Sequence, residues 1–275
     1  MLRVLAVVVL IYLAFVALMW VFQDRLLYLP EVGGRDLEAT PADIGLDFED
    51  LALETADGVR IHGWFVPAQP ERAVVLFFHG NAGNISHRLD TLRMFRELGL
   101  SVLLLDYRGY GRSEGRPSEE GTALDARAAW DWLIEDAGRT PDEIVIAGRS
   151  LGAAVAAELA HTRQPGAVIL ESPFRSVPIL AQEVYPFLPA RWLARIHYPT
   201  EEYVATIEAP LFIIHSRDDE IIPFAHGEAV HAAARDPQPL LPIRGGHNTG
   251  FLESRERYLQ GIDGFLAGSG FPPRD

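Results

Sequence analysis

Apolar residues are distributed along this chain in three distinct ways. From Val4 to Phe22 no charged residue interrupts the run. At 1.5 Å per residue such a helix spans about 28 Å, close to the hydrocarbon thickness of a bilayer. Further on come short, continuous apolar blocks at Ala73–Phe78, Ser101–Leu105, Glu143–Ala147, Ala167–Leu170 and Leu211–Ile214. Blocks of this length and β-branched content read as strands buried on both faces. Between them lie segments with helical spacing: Arg88–Leu98, closed by Gly99, then Ser118–Glu135, Leu151–Ala160 and Phe224–Ala234. Leu240–Ile243 reads as a short last strand and Phe251–Leu266 as a final helix. Ahead of this series, Leu46–Leu53 and Val59–Val66 flank Asp57-Gly58, which predicts a hairpin. Residues 24–45, with Pro30, Gly33, Gly34 and Pro41, read as a connector. The alternation predicts an α/β fold: a mostly parallel sheet, helices on both faces and an antiparallel hairpin leading it. Ligands of such sheets sit at the carboxyl ends of the strands.

The N-terminal run divides the chain into an anchor, residues 1–25, and one domain, residues 26–275. Trp20 and Tyr28 stand near its end, where interfacial aromatics belong. A cleaved signal peptide would have a shorter apolar core and a small-residue cleavage site. Gln23-Asp24-Arg25 follows instead, so an uncleaved, single-pass anchor is expected. In a bacterial cell the domain is expected on the periplasmic, extracytoplasmic side.

Composition narrows the chemistry. The 275 residues include no cysteine, which excludes a cysteine nucleophile, cysteine zinc sites and disulfides. The formal net charge is −14, which argues against nucleic acid as a partner. No metal motif or phosphate loop is present, so no cofactor is expected.

The pattern G-x-S-x-G occurs twice, at Gly111–Gly115 and at Gly148–Gly152. A nucleophile elbow needs a strand running straight into a tight turn and then a helix. Only Ser150 has that setting, with Glu143–Ala147 before it and Leu151–Ala160 behind it. Ser113 follows its strand by several residues and precedes Gly115-Arg116-Pro117, so it reads as a loop residue. A serine nucleophile points to acyl transfer through an acyl-enzyme.

Among nine histidines, His247 is the best-placed general base, on the loop between the last strand and the last helix. His161 lies on the helix behind Ser150 and reads as structural. The acid is expected after Leu211–Ile214, where either Asp218 or Asp219 fits the chain order Ser…Asp…His. The oxyanion hole is expected from the backbone N–H of Leu151 and of Asn81, the latter in the loop His79-Gly80-Asn81-Ala82-Gly83-Asn84. His79 is expected to buttress that loop. Asn84-Ile85-Ser86 matches a glycosylation sequon and reads as chance in such a loop.

Taken together, Phe77–Asn84, Asp106–Gly111, Gly148–Gly152, Glu171–Phe174 and Gly245-Gly246-His247 resemble the α/β-hydrolase superfamily. The likeness extends to the membrane-anchored branch of acyl-protein thioesterases (depalmitoylases) and related bacterial serine hydrolases. Gln23–Pro30 looks familiar from the same branch. In that family the acid segment resembles H-G-x-x-D-x-x-V-P, which laid on His215–Pro223 makes Asp219 the acid. Ser216 departs from the pattern, and the doubled aspartate keeps Asp218 open. The depalmitoylases carry N-terminal cysteines for palmitoylation; here the apolar span takes their place. The resemblance also implies that residues 173–209 form a cap insertion, whose aromatics either line an acyl pocket or pack the cap onto the body. The implied activity is serine hydrolysis of a small-molecule or lipid acyl ester or thioester on Ser150, Asp219 and His247. An amidase or peptidase on the same triad is the first alternative, and a non-catalytic scaffold the second.

Overall fold

The computed structural model describes residues 1–274. An eight-stranded sheet runs in the order β1-β2-β4-β3-β5-β6-β7-β8. Its strands are β1 (Glu49–Glu54), β2 (Arg60–Val66), β3 (Ala73–Phe78), β4 (Leu100–Leu105), β5 (Ile144–Arg149), β6 (Ala167–Glu171), β7 (Leu211–Ser216) and β8 (Leu241–Ile243). The β1–β2 hairpin is antiparallel, β2 meets β4 antiparallel, and every other pairing is parallel. This is the predicted architecture.

The continuous apolar blocks are explained by burial on both sides. In β3, Val74, Leu76 and Phe78 face one core while Ala73, Val75 and Phe77 face the other. The first core is closed by α4 (Glu119–Glu135), α5 (Leu151–Thr162) and α9 (Phe224–Ala233). The second is closed by α3 (Leu89–Glu97) and α11 (Arg255–Gly268). Between β6 and β7, residues 173–209 carry three short helices: α6 (Val177–Val184), α7 (Ala190–Leu193) and α8 (Thr200–Val204). Glu119, at the start of α4, accepts the N–H groups of His197 and Tyr198 and so ties this insertion to the body.

Three local expectations differ. The final helix is broken into α10 (Gly250–Glu253) and α11, because the Ser254 hydroxyl donates to the Arg244 carbonyl and accepts its N–H. Leu46 and Phe48 lie outside β1, which begins only at Glu49, facing Phe65 near the end of its partner β2. The connector is partly helical: α1 (Leu2–Val21) turns at Phe22 into α2 (Gln23–Leu27). Helix α1 is long and apolar enough to cross a membrane, and none of its residues is buried.

Leu76 is wholly buried in the inner strand β3. Replacing it with alanine should cost about 2–5 kcal/mol. A urea midpoint for the detergent-solubilised Leu76→Ala protein equal to that of the parent would contradict this packing.

Candidate active site

Strand β5 ends at Arg149, α5 begins at Leu151, and Ser150 joins them with φ 57° and ψ −119°. A non-glycine residue in that region costs about 1–3 kcal/mol, so its neighbours must hold it there. The Ser150 N–H donates to the Glu171 carbonyl at 2.9 Å. The two flanking glycines answer to sterics. A Cβ on Gly148 would fall 2.0 Å from the Gly152 carbonyl oxygen, and one on Gly152 would fall 2.0 Å from that of Phe78. Helix α5 thus passes against the carboxyl end of β3 with no room for a methyl group.

That approach brings the loop after β3 to the serine. A Cβ on Gly80 would lie 3.6 Å from Ser150 Cβ. Leu151 is the first residue of α5, so its N–H has no intrahelical acceptor. The Asn81 side chain is committed elsewhere: its amide donates to the Leu27 carbonyl, and its oxygen accepts Tyr110 Oη at 2.8 Å and the Leu29 N–H at 3.2 Å. His79 is fully buried, with Nδ1 against the Gly80 carbonyl at 2.7 Å and Nε2 3.5 Å from Asp106. Burial depresses its pKa, opposed by the Asp106 hydrogen bond. A neutral, enclosed imidazole suits a buttress. Asn84 is buried too, its side chain bonded to Gly34, Asp36 and Ser86, which is no setting for a glycan.

His247 Nδ1 lies 2.7 Å from Asp219 Oδ2. The carboxylate is an acceptor, so Nδ1 carries the hydrogen and Nε2 keeps the basic lone pair. Burial pushes the Asp219 pKa up. Hydrogen bonds from His215, His247 and the Ile222 N–H outweigh it and hold the carboxyl well below the ordinary 3.8. Asp219 Oδ1 also takes the N–H groups of Ile221 and Ile222 at 3.0 and 2.7 Å. Asp218 turns outward to Arg244, 2.8 Å away, and to the Gly245 N–H. Ser216 donates to the Gly245 carbonyl at 2.5 Å and links the Asp219 and His247 loops. Glu220 accepts the His247 N–H at 2.8 Å.

Ser113 occupies a different place. It is fully buried, donating to the Asp106 carbonyl at 2.6 Å and accepting the His62 N–H at 2.8 Å. Its hydroxyl is consumed by the backbone. His161, expected to be structural, bonds Thr206 at 2.5 Å.

Sequence reasoning missed a buried pair under the elbow. Arg149 Nε lies 2.8 Å from Glu171 Oε1, Tyr258 Oη donates to Glu171 at 2.9 Å, and the guanidinium sits 3.7 Å above the Phe251 ring. Charges at the ends of two adjacent apolar strand blocks were the available signal.

A family model, serine aminopeptidase S33 (Hydrolase_4), matches residues 69–200. A protein of Mycobacterium tuberculosis described as uncharacterized is 40% identical over 96% of this chain and 94% of its own length. The α/β-hydrolase domain-containing protein WAV2 of Arabidopsis thaliana is 39% identical over 83% of this chain and 81% of its own. The chain belongs to the α/β-hydrolase superfamily. Among solved structures, the Pyrococcus furiosus esterase Pf2001 is similar, with a TM-score of 0.72 and 20% identity over 88% of this chain and 98% of the esterase, a likeness of fold. This α/β hydrolase therefore carries the serine-hydrolase type of sheet, with Ser150 at the turn after its central β5.

Two predictions arise from the geometry. Gly152→Ala forces α5 off β3 and should cost at least about 1–3 kcal/mol; an unchanged melting temperature would refute the close approach. The depressed Asp219 pKa stabilises the fold fully above its ordinary 3.8 and ceases to do so as pH falls through the folded value. The stability gap between the parent and Asp219→Asn should therefore narrow from about pH 5 to about pH 3. A constant gap across that range would contradict the assignment.

Proposed function

We propose that this protein is a membrane-anchored serine hydrolase that cleaves acyl esters or thioesters on Ser150, His247 and Asp219. The observation that carries the reading is the His247 Nδ1–Asp219 contact of 2.7 Å, in a chain whose Ser150 is held at φ 57° in the turn between strand and helix. In this reading His247 Nε2 accepts the Ser150 hydroxyl proton as Oγ attacks the substrate carbonyl. The N–H groups of Leu151 and Asn81 receive the oxyanion, whose charge they meet without reorganising. His247 then returns the proton to the departing alcohol or thiol, leaving an acyl-enzyme. Water repeats the cycle, with His247 as base, and releases the acid. Asp219 orients the imidazole and stabilises its protonated form. No step calls on a cofactor. Helix α1 is read as an uncleaved single-pass anchor that holds the site beside lipidic substrates, with the domain on the extracytoplasmic side in a bacterial cell.

The description of the matching family as a serine aminopeptidase favours one second reading, amide hydrolysis on the same residues. The two part on substrate. The ester reading expects p-nitrophenyl esters to be turned over with a preference for longer chains, and amino-acyl anilides to be poor substrates. An anilide preference would overturn it.

A fluorophosphonate probe should label the parent and Ser113→Ala, provided the latter folds, and should leave Ser150→Ala unlabelled. Labelling that persists in Ser150→Ala would remove Ser150 from the mechanism. Asp219→Asn should lower kcat by about 10⁴-fold, while Asp218→Asn keeps it within a few-fold. Equal losses would mean that neither carboxylate alone orients His247.

A further inference from the structure

The cavity that stands out lies away from the strand ends, between the N-terminal helix and the β6–β7 insertion. It measures about 210 Å³. Val16, Met19 and Leu27 line it from the anchor side; Leu180, Val184 and Leu193 line it from the insertion. Its lining is apolar apart from Gln23 and Tyr185. Gln23 is itself engaged, bonding the Leu193 carbonyl and the Arg195 N–H.

Through the connector this cavity is linked to the loop that follows β3. Leu27 is in its wall, and the Leu27 carbonyl accepts the Asn81 side-chain amide. Tyr28, the next residue, is buried and bonded to Tyr198 at 2.9 Å. Phe174, three residues beyond Glu171 at the end of β6, lines the same cavity.

The outer end runs along the anchor. Tyr12 Oη donates to the Phe187 carbonyl at 2.9 Å, and the rings of Phe15 and Phe187 lie 6.3 Å apart. With Val16, Met19 and Gln23 these residues form one face of the helix, at the three- and four-residue spacing of packed positions. Tyr12 stands nine residues before Val21, the last residue of α1. That is about 14 Å along the axis, roughly half of a bilayer's hydrocarbon core. Phe187, 59% exposed in the insertion, is therefore level with the hydrocarbon if α1 crosses a bilayer. At the domain end of the helix, Arg195 stacks 4.9 Å over Trp20 and lies 3.9 Å from Asp24, a charged and aromatic pairing suited to the headgroup level.

We propose that this cavity is an acyl-chain site filled sideways from the bilayer. The insertion dips its apolar tip into the leaflet beside α1. The alkyl chain of a lipid ester or thioester enters between them, so that its carbonyl meets Ser150 without the chain crossing water. The proposal rests on the serine-hydrolase reading and deepens it, since it makes the substrate one whose chain resides in the same membrane as the anchor.

The test uses the full chain in phosphatidylcholine vesicles. Ala181, on the wall of the cavity, is replaced by tryptophan. For Ala181→Trp, kcat/KM on p-nitrophenyl laurate should fall roughly tenfold or more while that on the acetate stays within about twofold, because only the long chain needs the filled space. An equal effect on both esters, or none on either, would overturn the proposal. A diazirine-bearing fatty acid should also crosslink to α6 at Val177, Leu180 or Ala181, and lose those adducts in Ala181→Trp. Turnover of esters without adducts on α6 would refute the cavity and leave the hydrolase reading standing. Adducts on α6 in a protein that hydrolyses no ester would sustain the site and sink the hydrolase reading.

Discussion

The site rests on the contact of α5 with the end of β3. Gly152 passes the Phe78 carbonyl so tightly that a single Cβ would come within 2.0 Å of it. The geometry around Ser150 depends on that approach. It directs the N-terminus of α5, with its free N–H groups and positive dipole, at the space above Ser150. It brings the β3 loop to within reach, with Gly80 against the serine. It also forces the chain between strand and helix into a φ that serine rarely adopts. The strain is offset by the Ser150 N–H bond to Glu171 and by the Arg149–Glu171 pair packed between Tyr258 and Phe251 beneath it.

The Asp219–His247 pair is held by electrostatics. Asp219 is enclosed, which would favour its neutral acid. Two imidazoles and a backbone N–H outweigh that penalty, so the group that orients His247 remains an anion. Ser216 and Glu220 tie the two loops to each other. The connector also reaches the loop after β3: the Leu27 carbonyl and the Leu29 N–H both bond the Asn81 side chain. Residues 27–29, just beyond the N-terminal helices, are thereby tied to the loop that follows β3.

The sheet was legible because a parallel sheet covered on both faces writes itself as unbroken apolar blocks. Ser150 was separable from Ser113 by the same means, since only one of the two motifs sits between such a block and a helix. Other features arise from contacts that pattern does not carry. Asp218 and Asp219 are adjacent, and what points one inward is a turn in which Ile221 and Ile222 donate to Asp219 Oδ1. The break before α11 comes from Ser254 bonding Arg244, ten residues away. The face of α1 that meets the insertion is invisible because the helix is apolar all round, leaving no polar side to mark the other. Arg149 and Glu171 were visible as charges at strand ends, but their pairing needs the β5–β6 register that sets them opposite each other.

The most direct measurement of the central claim is to catch the intermediate. The full chain is mixed with p-nitrophenyl decanoate, quenched in acid during turnover and digested for peptide mass spectrometry. The account predicts a decanoyl adduct on the peptide carrying Ser150, at the residue itself. A decanoyl group on Ser113, or steady ester turnover with no acyl group on Ser150, would contradict it.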